Sequence, residues 1–96
     1  MQMSNERKAK TAAKKAQKVH THLLLWNLRA LRNNVAYAPE LYEGYRQSFI
    51  ENHDALAPIY EAELKARGIT VPAGPETDAN REEWETALAE ALATRH

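Results

Sequence analysis

Residues 19–37, Val-His-Thr-His-Leu-Leu-Leu-Trp-Asn-Leu-Arg-Ala-Leu-Arg-Asn-Asn-Val-Ala-Tyr, hold the densest apolar side chains of the sequence, and whatever packs against them limits every other choice. At 3.6 residues per turn Leu24, Leu28, Leu31 and Val35 fall on one stripe, with Val19, Leu23, Trp26, Ala30 and Tyr37 on a second beside it. Two adjacent stripes predict two neighbours, so the segment reads as the central helix of a small bundle. Arg29, Arg32 and Asn33 cover the remaining side.

A chain of 96 residues makes one domain, here 1–96, with a modest core. A core of that size is compatible with a homodimer. Alanine is abundant, Gly and Pro number three and four, and β-branched residues are scarce, which predicts an all-α fold. The absence of cysteine excludes a disulfide framework, a thiolate nucleophile and a sulfur-ligated zinc site. The longest run of large apolar residues, Leu23 to Trp26, is far short of a bilayer span, so no membrane partner is expected and the default compartment is cytoplasmic. Residues 1–18 share the basic, Ala-rich composition of a mitochondrial-type presequence, but they continue without a break into the main helix.

Helix signals organise the rest. Ser4 can cap a helix opening near Asn5, with Glu6 suited to its first turn. Ala9, Ala12, Ala13 and Ala16 share one face of a basic arm over residues 1–18, and their phase runs on into Val19 and Leu23. One long helix over about 5–37 is therefore expected, ended by Pro39. A second segment over about 39–67 keeps Tyr42, Tyr45, Phe49, His53, Leu56, Tyr60 and Leu64 in phase, flanked by Leu41, Ile50 and Ile59. Pro58 interrupts it and predicts a kink or split at 54–57. Glu61 and Glu63 stand four residues before Lys65 and Arg67, and Gly68 is a natural stop. Residues 69–78, with Pro72, Gly74 and Pro75, read as an irregular connection anchored by Ile69 and Val71. A C-terminal helix over about 79–95 follows, with Asn80 and Glu83 as a capping box and Trp84, Ala87, Leu88, Ala91 and Leu92 as its apolar stripe.

Charge is divided sharply along the chain. Residues 1–35 hold eight basic side chains, Arg7, Lys8, Lys10, Lys14, Lys15, Lys18, Arg29 and Arg32, against Glu6 alone. Residues 36–96 hold five basic against twelve acidic side chains, among them Glu76, Asp78, Glu82, Glu83, Glu85 and Glu90. The zero net charge thus conceals two candidate surfaces of opposite sign. The acidic last helix can lie along the basic first one, within a chain or head to tail between two chains. The basic arm can bind nucleic acid through phosphates; with no aromatic to stack on a base, such binding is nonspecific. Either charged face can dock on another protein, the acidic half as an imitation of a phosphate backbone, with Trp84, Tyr42, Tyr45 and Tyr60 as residue types that anchor interfaces.

Catalytic signals are weak. On one helix His20 and His22 diverge by about 200° and cannot share a metal ion. His53 lies on the apolar phase beside Asp54 and reads as a partly buried, hydrogen-bonded core residue. Ser4 and Ser48 are outside any nucleophile-elbow pattern, three isolated glycines make no phosphate loop, and no Glu-x-x-His pair is present. The expectation is a non-catalytic protein-binding module without cofactor or metal, a small regulator or inhibitor of a larger protein or nucleic-acid-handling complex. The alternative is nonspecific nucleic-acid binding through the basic arm.

Overall fold

The computed structural model describes residues 5–37 and 43–94, which form four α-helices and a short 3-10 turn, with no strand among them. Helix α1 spans Asn5–Lys18 and α2 Thr21–Tyr37; a turn at Glu43–Tyr45 leads into α3, Arg46–Ala66, and α4 is Arg81–Ala93. Helix α1 packs on α3, α3 on α2 and α2 on α4, giving a flattened body of 42 × 32 × 15 Å. The first and last helices therefore rest on different neighbours. The expected pairing of the acidic last helix with the basic first one within the chain does not occur.

The core gathers where α2 and α3 meet α4. Leu24, Leu25 and Leu28 of α2, Leu64 of α3 and Trp84 of α4 are fully buried, and Ala16, Ala57, Ile69, Ala87 and Ala91 close around them. Arg32 places its guanidinium 5.7 Å from the Trp84 ring centre. The Trp84 indole N–H finds no acceptor among the described residues, a cost of about 1–3 kcal/mol accepted where so much apolar area is buried.

The expected helix over 5–37 is two helices. Val19 and His20 leave helical geometry, and the His20 carbonyl accepts the Leu23 and Leu24 N–H groups at 3.1 Å to open α2. Val19, His20, Thr21 and His22 are four consecutive residues of mediocre helix propensity, so the chain breaks at its weakest stretch. Carbonyls freed at the end of α1 go to Arg67. Its guanidinium donates to the oxygens of Ala16 (3.0 Å), Gln17 (3.1 Å) and Val19 (2.7 Å), and to Thr21 Oγ1 (3.1 Å). Its Nε donates to Glu63 Oε1 at 3.1 Å. The Arg67 side chain is only 4 % exposed, so these groups satisfy a cation that burial would otherwise penalise.

Of the kink or split expected near Pro58 the split does not occur, for α3 runs through that residue as one helix. Pro58 and Asp54 are both on the exposed side, where water can reach the Asp54 carbonyl that has lost its partner. The helix begins at Arg46; residues 38–42, including Pro39, Leu41 and Tyr42, lie outside the described residues. Its end is a Schellman turn. Gly68, at φ 80°, donates to Lys65 O, and Ile69 donates to Leu64 O while packing in the same cluster.

Helix α4 starts at Arg81 with Asn80 in the N-cap position, as expected of that residue, but Glu83 makes no capping box with it. The reciprocal pair sits one turn earlier: Asn80 N–H donates to Thr77 Oγ1 and Thr77 N–H to Asn80 Oδ1. The Asn80 amide also donates to Ala73 O and Pro75 O, so one side chain ties the connection to the start of α4.

A candidate docking surface on the outer face of α2

The two stripes of α2 meet different fates. Leu24 and Leu28, joined by Leu25 and Thr21, are buried between α3 and α4, with Leu31 and Val35 partly covered. Of the second stripe, Val19 lies before the helix and packs against the core, whereas the residues within α2 face outward. Leu23 is 43 % exposed, Trp26 54 % and Tyr37 56 %, and Ala30 between them is open. The prediction that both stripes are gripped is corrected: α2 has two neighbours, but both press on one arc. The second stripe is interrupted by Asn33 and Asn34, a signal that it need not be buried.

Polar contacts hold this outer face in place. Arg29 stacks its guanidinium 4.1 Å from the Trp26 ring centre and lies 3.6 Å from Glu76 Oε1. Asn33 Oδ1 accepts the Glu76 N–H at 2.9 Å, and the Tyr37 hydroxyl donates to the Glu76 carbonyl. Arg32 donates to Pro72 O at 2.6 Å, to Gly74 O at 3.0 Å and to Glu61 Oε1 at 2.8 Å. Glu61 thus pairs with Arg32, whereas Glu63 meets Arg67 as its spacing predicts. The outer face is therefore braced by the connection beneath it.

These contacts redraw the two charged surfaces. Arg29 and Arg32 are taken up in binding the connection, so they do not extend the basic track. Lys10, Lys14, Lys15 and Lys18 are exposed along α1; the side chains of Arg7 and Lys8 lie outside those described. On the acidic side Glu76 is engaged by Arg29 and, at 3.5 Å, by Arg81. Asp78 is exposed and 3.0 Å from Arg81, while Glu82, Glu83, Glu85 and Glu90 face outward on α4.

Between α1 and α2 runs a groove of about 270 Å³, floored by the half-buried Leu56 and Tyr60 over the fully buried Leu24 and walled by Lys15 on one side and Asn27 on the other. Asn27 is one turn from both Leu23 and Ala30, so groove and outer stripe form one continuous surface. Of the interface anchors proposed from residue type, Tyr60 is half-buried and lines this groove, whereas Trp84 is fully buried and Tyr45 is exposed in the turn before α3.

His20 and His22 do not diverge as predicted. Because His20 precedes the helix, its ring stacks on that of His22, with centres 6.1 Å apart and planes 22° from parallel. Among the described residues no group of three or more His, Asp or Glu is placed to hold a metal ion. His53, partly buried, has Nδ1 3.1 Å from Asp54 Oδ1. No helix among the described residues is long and apolar enough to cross a membrane. Comparison of the chain with known protein families, curated proteins and solved structures gave no match.

Proposed function

We propose that this chain is a non-catalytic protein-binding module whose working surface is the outer face of α2 together with the adjoining groove. One observation carries the reading. The helix that puts Leu24, Leu25 and Leu28 into the core also presents Leu23, Trp26 and Tyr37 outward in a single stripe, with Trp26 held in place by Arg29. A braced, half-exposed tryptophan on a rigid helix is the kind of anchor that interfaces concentrate their energy on. Acting there, the module regulates or inhibits a larger protein in the cytoplasm.

Immobilised chain carrying Trp26→Glu tests this. The exchange is on the surface, so stability should stay within about 0.5 kcal/mol of the parent while capture of the cognate protein is lost. Undiminished capture by the folded variant would sink the reading. A second reading, nonspecific nucleic-acid binding, is favoured by the outward Lys10, Lys14, Lys15 and Lys18 and weakened by the engagement of Arg29 and Arg32. Titration of a labelled oligonucleotide at low salt, where phosphate contacts are strongest, decides it: no binding there removes it.

A further inference from the structure

The groove beside the α2 stripe has a counterpart of opposite charge on the far side of the molecule. Helix α4 turns Trp84, Ala87 and Ala91 inward and leaves Leu92 66 % exposed. At 100° per residue Glu85, Ala89 and Leu92 share one outward strip, with Glu82 alongside. Helix α1 carries six basic side chains against one acidic, and α4 four acidic against one basic. The two have nearly equal lengths, 14 and 13 residues. Yet α4 packs on α2 with Trp84 under Arg32, and no α4 residue lines the groove, so a chain held this way does not lay its own α4 there.

We propose that the groove receives α4 of a second copy of this chain. Leu92 of the incoming helix enters over Leu56 and Tyr60, and its outward glutamates meet Lys15 and the neighbouring Lys14 and Lys18. The complementarity is both apolar and electrostatic: an exposed leucine faces an apolar floor, and an acidic helix faces a basic one. A net charge of zero leaves no overall repulsion between copies. Because the two surfaces differ, each added copy presents a fresh groove and a fresh α4, and assembly is head to tail. Exposed ion pairs contribute little individually and are screened by salt, so the assembly is weak and ionic-strength dependent.

This inference rests on the reading of the groove and the α2 face as a protein-docking surface. Sedimentation equilibrium of the full chain at ionic strengths of about 0.01 M and about 1 M tests it. At low salt the average mass should climb with concentration past that of a dimer; at high salt it should return to the 10.9 kDa of one chain. Leu92→Glu should weaken association by about tenfold or more. A variant with Lys14, Lys15 and Lys18 all changed to Glu, and another with Glu82 and Glu85 both changed to Lys, should each stay monomeric alone and associate when mixed. A monomer at every concentration in low salt, a mass that levels off at the dimer, or undiminished self-association of either charge variant overturns the proposal. Loss of self-association with intact, Trp26-dependent capture of another protein would remove this inference alone; loss of that capture strikes the docking reading itself.

Discussion

Helices α1 and α2 read as one continuous element, yet they are held by opposite means. Helix α2 is fixed by volume: Leu24, Leu25 and Leu28 have no exposure and fill the space between α3 and α4. Among its described side chains helix α1 has Ala12, Ala13 and Ala16 to turn toward α3, and Ala16 alone of these is fully buried. What secures its end is Arg67, whose hydrogen bonds collect the carbonyls of the α1–α2 junction. One helix is thus seated by its own sequence and the other by a side chain 48 residues after the junction valine. A segment with little apolar area to bury stays ordered in a small domain when a buried cation gathers its unpaired carbonyls.

The contrast can be tested by substitution. Leu28→Ala should have the largest effect, a loss of about 2–5 kcal/mol, read as a cooperative fall in the denaturation midpoint across the whole molecule. Arg67→Ala should cost about 1–3 kcal/mol and act locally: amide exchange should accelerate through α1 while the α2 core amides keep their protection. A uniform loss of protection in that variant would show that α1 and α2 are one cooperative unit after all.

Pro58→Ala restores a backbone donor in α3 and should raise stability, by about 1 kcal/mol or more. Ala13 and Gln17 of α1 share a surface groove with Pro58, Ile59, Ala62 and Glu63. A lower melting temperature would therefore mean that the proline ring shapes the seat of α1. Trp26→Glu should have the smallest effect on folding, within about 0.5 kcal/mol by chemical denaturation, because its stripe supports neither helix.

Much of this was legible in the residues and some was not. The all-α class follows from composition and spacing, and the Gly68 stop follows from the left-handed turn that glycine permits. The break at Val19 and His20 escapes a periodicity argument because Ala16, Val19 and Leu23 keep a helical phase on both sides of it. The sign to read was propensity, since Val-His-Thr-His has no strong helix former. At Pro58 a local penalty left both a kink and a split open, and the packing of α1 and α2 on the same helix keeps it in one piece. For Asn80 the residue type was a sound signal, but its partner was Thr77, three residues before it, and not Glu83, three after.

The candidate surface divides along the same line. Which residues of α2 are apolar, and in which two stripes, is written in their spacing. Which stripe is buried depends on where α3 and α4 come to rest, and on the polar bracing of residues 72–76 against Arg29, Arg32 and Asn33. Likewise the charge of each segment can be counted along the chain, whereas its availability cannot. Arg29, Arg32 and Glu76 are neutralised by partners roughly 30 to 50 residues away, while Lys10, Lys14, Lys15 and Lys18 of α1 remain open. A helix's periodicity is a property of its own residues, so local order can be read from them. Burial and ion pairing belong to pairs of elements, and they exist only once the chain has brought distant segments together.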